Sequence, residues 1–289
     1  MNTGDFDYYQ YLVDRRQRSG KIPLLLTLMI VVAPFIVFTA GSGWLVSPLF
    51  KSVGFFHDVG LKAENKVSKT TILDWAIPSG RFYTQANGQT PGKSQQGFKV
   101  ADENGIMFWR DYEWLGGVDV VGFPASRRFE WQGATTQVFT RMVLQWDDKT
   151  KQTTVVNLLD VLSQQGKDDW LLSTHSIPKP LPPDFDKGKS WDKIVESRQN
   201  LLVKNGSFLN KYFSVSDPMR LFGLPTSDIT DMGSHFAMRT QRAVIQQWKE
   251  DTPWADAFHM TLANTGDIAI QAGIFPPEVL VPEDAPSGP

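Results

Sequence analysis

The sequence predicts an α+β protein: one N-terminal transmembrane helix followed by two similar small modules, each a short helix plus an antiparallel β-meander. Three observations carry that prediction. Residues 22–40 hold no charged side chain, and a helix needs roughly 20 such residues to cross a bilayer core of about 30 Å. The stretch Gly122-Phe-Pro-Ala-Ser126 returns as Gly223-Leu-Pro-Thr-Ser227, and Arg141-Met-Val-Leu-Gln145 returns as Arg242-Ala-Val-Ile-Gln246, both displaced by 101 positions. Within each copy the apolar residues pass from helical spacing to strict alternation, the change of period that separates a helix from a half-buried strand.

Taken in order, residues 1–21 read as a cytoplasmic tail and 22–49 as the transmembrane helix with its outer flank. Arg15, Arg16, Arg18 and Lys21 precede the apolar run, and Lys51 is the nearest cation after it. That asymmetry keeps the N-terminus inside and places residues 50–289 outside the cell membrane, in a single-pass topology. Pro23 suits a first helical turn, and Pro34 removes a backbone donor and predicts a kink. Ala40, Gly41, Ser42 and Gly43 resemble a cleavage site, but the apolar run exceeds the roughly 7–15 residues of a secretory core, so an uncleaved signal anchor fits better.

Residues 50–79 read as a stalk, with Val53, Phe56, Val59 and Leu61 at loose helical spacing, and Gly80 to Gly97 as a loop rich in Gly, Gln, Ser and Thr. The first module spans 80–176. Phe108, Tyr112 and Leu115 share one face of a short helix, Gly116 and Gly117 supply a left-handed end, and Gly122 to Pro124 make a turn. Phe129 and Trp131 then alternate with charged neighbours, Thr135 to Trp146 reads as one long strand, and Thr153 to Leu159 follows. A Pro-rich linker occupies 177–190. The second module, 191–278, opens with a helix from Trp191 to Val203 and repeats the first through Phe208, Tyr212 and Val215, with Asp217 and Pro218 in place of the glycine pair. Residues 279–289 read as an irregular tail.

Composition narrows the chemistry. The 289 residues carry a net charge of −2, which gives no electrostatic footprint for nucleic acid. Absence of cysteine excludes disulfides, thiolate catalysis and iron–sulfur clusters. Four histidines are scattered singly, with no HExxH pair, no Gly-x-Ser-x-Gly elbow and no phosphate-binding glycine loop. A glycosidase needs two carboxylates flanking a sugar, yet Asp111, Glu113, Asp119 and Glu130 do not recur, and the loosely aligned Asp160 and Asp267 read as helix or turn caps. The expectation is therefore a protein without catalytic, metal or cofactor residues.

The repeated polar positions are the candidate binding residues: Arg141, Gln145 and nearby Trp146 in one copy, Arg242, Gln246 and nearby Trp248 in the other. Read mid-strand, each Arg and Gln share a face, a row able to grip a sugar or carboxylate by forked hydrogen bonds and stacking. The alternative is that each Arg knits its module together through acidic groups or loop carbonyls. Trp109, Trp114, Trp131 and Trp146 read as core more readily than as an exposed carbohydrate platform.

The stretch WLGGVDVVGFPASRRFEWQG…QVFTRMVLQW, Trp114 to Trp146, resembles the LGFP-type repeat of bacterial cell-envelope proteins, and FGLPTSDITDMG…QRAVIQQW is similar without the glycine pair. With TLANTGDIAIQAG at Thr261 to Gly273 and GKDDWL at Gly166 to Leu171, the pattern is also similar to tandem extracytoplasmic modules of Chloroflexota proteins. That resemblance implies envelope attachment or association and brings no functional residues with it. Two roles follow. One is an accessory subunit of a larger membrane complex with integral membrane protein partners, which the kinked helix and aromatic tail (Phe6, Tyr8, Tyr9, Tyr11) favour. The other is a membrane-tethered binder of an envelope glycan.

Overall fold

A computed structural model describes residues 74–84 and 96–286. The cytoplasmic tail, the transmembrane segment and most of the stalk lie outside the described residues. Among the described residues no helix is long and apolar enough to cross a membrane. The architecture is α+β with three antiparallel sheets.

The described residues open with β1 (Trp75–Ile77), β2 (Gly80–Tyr83), β3 (Gln96–Glu103) and the short β4 (Ile106–Met107). Gly80 and Gly97, expected to bound a loop, instead mark strands that approach too closely for a side chain. A Cβ on Gly80 would stand 2.1 Å from the Val100 carbonyl oxygen, and one on Gly97 1.9 Å from that of Tyr83. In sequence alone, glycines that permit a close approach and glycines that permit a turn look alike.

The first copy follows as α1 (Phe108–Trp114), α2 (Gly117–Val120) and the meander β5 (Phe129–Trp131), β6 (Ala134–Val138), β7 (Val143–Asp147) and β8 (Gln152–Val155). The stretch read as one strand from Thr135 to Trp146 is broken by a tight turn, where the Phe139 N–H donates to the Met142 carbonyl at 2.8 Å. Arg141 therefore sits in a turn and not mid-strand. Two helices close this part, α3 (Leu158–Gln164) and α4 (Asp168–His175). The Pro-rich stretch crosses to the second copy, its Leu181 N–H bonded to the Thr226 carbonyl at 2.7 Å.

The second copy is preceded by α5 (Trp191–Gln199), which tightens into a 3₁₀ turn, Asn200–Lys204. It comprises α6 (Gly206–Phe213), α7 (Pro218–Leu221), the meander β9 (Thr230–Asp231), β10 (His235–Arg239), β11 (Val244–Trp248) and β12 (Met260–Leu262), and α8 (Thr265–Gln271). Asn205 and Asp217 cap α6 and α7 by accepting the Ser207 and Arg220 N–H groups. The tail expected to be irregular contains a 3₁₀ turn (Pro277–Leu280) and β13 (Glu283–Asp284), which pairs with β3. Sheet order is β1-β2-β3-β13 with β4 on β3, then β5-β6-β7-β8, and β12-β11-β10-β9.

Equivalence between the copies extends to individual pairings. Val138 faces Val143 across the first hairpin, as Arg239 faces Val244 across the second. Isolated bridges tie Pro124 to Phe139 and Pro225 to Thr240. Beyond β7 and β11 the displacement grows from 101 to 107, so that Val155 answers to Leu262 and Asn157 to Asn264. Alternation along β7 and β11 divides the apolar residues between two cores. Leu144 and Ile245 join Phe108, Tyr112, Phe208 and Tyr212 on one face. Val143 and Val244 join Leu158, Leu162, Ile268 and Ala269 on the other. Both cores draw on both copies.

The copies also exchange helices. The N-terminus of α3, which follows the first meander, lies on the β10–β11 turn of the second copy: the Leu159 N–H donates to the Gln241 carbonyl at 3.2 Å. Reciprocally, α8 lies on the β6–β7 turn of the first copy, where the Asp267 N–H donates to Thr140 O at 3.1 Å and the Thr265 hydroxyl donates to Arg141 O. First-turn N–H groups have no partner within their own helix, and these carbonyls supply one. The contact is so close that a Cβ on Gly266 would stand 1.8 Å from the Phe139 carbonyl oxygen. Backbone cannot yield as a flexible side chain can, so Gly266→Ala is expected to destabilise the fold by about 3 kcal/mol, read as a lowered denaturant midpoint at unchanged slope.

Candidate functional site

The repeated arginines hold the same structural post in each copy. Arg141 Nη1 donates to the carbonyls of Val118 (3.0 Å) and Asp119 (2.6 Å), at the end of α2. Arg242 Nη1 donates to Met219 O at 2.8 Å and to Arg220 O, at the end of α7. Helix C-termini leave carbonyls unsatisfied and carry partial negative charge, which a guanidinium answers on both counts. Burial pushes the Arg141 pKa down, against the pull of Asp119 and other nearby groups. Arg242 reaches further, its Nε donating to Asn157 Oδ1 at 2.7 Å and so gripping the exchanged helix.

The glutamines and tryptophans do not extend this into a row. Gln145 Nε2 donates to Trp131 O (3.0 Å) and Thr136 Oγ1 (3.1 Å), and Gln246 Nε2 meets His235 Nε2 at 3.1 Å. Trp146 is buried and donates to Asp148 Oδ1, whereas Trp248 is half-buried and donates to Thr261 Oγ1. At a displacement of 101, Trp146 answers to Gln247 and Trp248 to Asp147, so the two indoles occupy successive positions of equivalent strands and point to opposite faces.

Further repeated polar contacts surround the Gly-x-Pro turn. Tyr112 and Tyr212 donate their hydroxyls to the carbonyls of Gly122 (2.9 Å) and Gly223 (2.8 Å). Ser126 and Ser227 accept from the N–H groups of Val138 (2.8 Å) and Arg239 (2.9 Å). Gly122 has φ +93°, and a Cβ there would meet Thr140 Oγ1 at 2.0 Å. The recurrence of the tyrosines was visible in sequence as an apolar face, but nothing there announced the hydroxyl's partner.

Asp160 and Asp267 occupy the first turns of the exchanged helices, with Asn157 and Asn264 at the N-cap positions. Burial raises the Asp160 pKa, opposed by the hydrogen bond from Gln241 and by Arg239, Arg198 and Arg242. Burial pushes Asp267 up to about 6, opposed by the Asn264 hydrogen bond and the Arg141 charge. Arg239, 1 % exposed, is the largest fully buried side chain among the described residues. It donates to Leu159 O (2.5 Å), Ser163 Oγ (2.6 Å) and Asp168 Oδ1 (2.7 Å). Its counterpart in the first copy is Val138, so no repeat signal pointed to it.

Two further features are not repeated between the copies. An open pocket of about 390 Å³ lies where the copies meet, lined by Arg110, Asp111, Trp114, Lys151, Gln152 and Arg220. Burial works to raise Asp111, but hydrogen bonds from Arg110 and Thr153 outweigh it and hold the carboxyl below its usual range. The longer connection between β11 and β12 carries Trp254 and Phe258, 66 % and 71 % exposed. Among the described residues, no group of three His, Cys, Asp or Glu side chains could hold a metal ion.

The partly buried Arg239–Asp168 ion pair and the desolvated acid each have a testable consequence. Asp168→Ala, which strands Arg239, is expected to cost about 3 kcal/mol, and adding Arg239→Met to recover most of it; chemical denaturation of both variants measures this. For Asp267 the folded pKa lies above the unfolded value of 3.8. The folded state binds the extra proton, so the penalty is absent below pH 4, grows as the pH rises towards 6 and is complete above it. Asp267→Asn should therefore stabilise relative to the parent at pH 7 but not at pH 4, read from melting temperatures at the two pH values.

Compared with protein-family models, with curated proteins and with solved structures, the chain matches none of them.

Proposed function

We propose that the chain is a membrane-anchored, non-catalytic extracytoplasmic scaffold, an accessory subunit of a larger membrane protein complex. One observation carries this reading: the polar residues that recur in both copies are spent on bonds within the protein itself, most of them to its backbone. Arg141 and Arg242 bind helix-end carbonyls, and Tyr112 and Tyr212 bind the turn glycines. A duplicated reaction centre would instead hold its repeated polar groups towards a substrate. In this proposal residues 22–49 comprise a single transmembrane helix and its outer flank, with residues 1–21 in the cytoplasm, supported by the uncharged run and the cations before it. The resemblance to envelope repeats supports the same side of the membrane.

Contact with partners is supported by the β11–β12 connection. Its Trp254 and Phe258 are exposed, yet the segment is braced: Thr252 and Ala255 pair across it, and Asp251 accepts the Ala257 N–H at 2.8 Å. Phe258 sits at φ +62°, an unfavourable conformation for a bulky residue. Exposed aromatics on a braced loop are typical anchors of protein interfaces. Gentle detergent extraction of the full chain, followed by mass spectrometry, is expected to recover integral membrane proteins in stoichiometric amounts, and Trp254→Ala with Phe258→Ser to reduce their recovery several-fold. Recovery of a lone monomer would overturn the proposal.

A further inference from the structure

The pocket where the copies meet combines two chemistries around one side chain. Trp114, 51 % exposed, borders the cationic pocket and also a smaller groove of about 180 Å³ lined by Leu115, Val120, Val215 and Leu221. On the cationic side, Arg220 comes from the second copy and lies over the Trp114 ring at 4.5 Å, its Nη2 donating to Thr153 O at 3.0 Å. Among the described residues no carboxylate pairs with Arg220, and its Nε is buried without a partner. By contrast, Arg110 is paired with Asp111 and Lys151 with Asp148. Of the three cations that line the pocket, Arg220 is thus the one without a carboxylate partner among the described residues, the Asp111 carboxylate being held by Arg110 and by the Thr153 N–H at 2.9 Å.

We propose that this seam binds an extended acidic segment of a partner protein, with a carboxylate side chain against Arg220 and an aliphatic side chain in the groove beyond Trp114. Charge complementarity selects the acid, because a guanidinium fixed on an indole and anchored through Nη2 keeps Nη1 and the second Nη2 proton as charged donors for a carboxylate. The second contact selects a peptide. In an extended chain residues i and i+2 lie on one face about 7 Å apart, a span that straddles an indole. Leu115, Val120, Val215 and Leu221 give the groove an aliphatic wall that suits a leucine or valine. Ser216 and Asp217 also line it, the Asp217 carboxylate already accepting the Arg220 backbone N–H at 2.9 Å. This inference rests on the scaffold reading for its biological setting but can fail separately from it.

The test uses the full chain in a neutral detergent and a fluorescently labelled, end-blocked peptide with Glu-Thr-Leu at its centre. Anisotropy is expected to show the Glu peptide binding at least tenfold more tightly than its Gln and its Glu-Thr-Ser counterparts, with a preference that falls as salt is added. Arg220→Gln should lower that affinity tenfold or more. Because Arg220 also bonds Thr153 O, Lys151→Gln, on an exposed side chain, provides a second variant, expected to weaken binding about threefold at an unchanged melting temperature. Equal binding of the Glu and Gln peptides, no binding, or insensitivity to both substitutions would overturn the proposal. So would an Arg220-dependent preference for a galacturonate oligomer over the peptide. If membrane partners co-purify equally with the parent and with Arg220→Gln, the scaffold stands and this seam is removed from it.

Discussion

The whole arrangement depends on how two exchanged helices satisfy their first-turn N–H groups. In isolation, the leading end of α3 or α8 would leave amides without acceptors, and the turns of β6–β7 and β10–β11 would leave carbonyls without donors. Each deficit answers the other across the copies, at Leu159 with Gln241 and at Asp267 with Thr140. Neither half can satisfy itself. From that exchange follow the shared cores, the absence of side-chain room at Gly266 and the desolvation of Asp160 and Asp267.

Much of the local structure was legible because it depends on period and on turn chemistry. Phe108 and Tyr112 at helical spacing do form the buried face of α1, and the α+β class with antiparallel sheets follows from the alternation after Pro124. Where the reading missed, tertiary context decided. The turn at Thr140–Arg141 interrupts a stretch whose composition suits a strand throughout, because Arg141 must reach the end of α2. Gly80 and Gly97 belong to strands, their missing side chains being required by a neighbouring backbone. The exchange of helices has no local signal at all, since its partners lie 80 or more residues apart.

The candidate site was legible in part. Repetition singled out Arg141 and Arg242, and the structure places both on helix-end carbonyls. Repetition was blind to whatever the copies do not share. Arg239 replaces the valine of the first copy and holds α3 and α4 through Leu159 and Asp168. The seam around Trp114 draws on both copies but has no equivalent on the other side, where Ser214 stands at the position of Trp114 and Asp119 at that of Arg220. The places that differ between the copies thus carry the buried Arg239 and the half-exposed Trp114, while the repeated polar groups bond within the fold.

The order of synthesis gives the exchange a temporal meaning. The Arg239–Leu159 and Thr265–Arg141 bonds bridge sequence separations of 80 and 124 residues. Closing such distances is slow, and a nascent chain leaves the ribosome from its N-terminus. When α3 emerges, the hairpin that receives it has not yet been translated. The first half must therefore wait, incomplete and with apolar surface uncovered, until the last helix arrives, so nascent chains are most exposed to holding factors and proteases late in their synthesis.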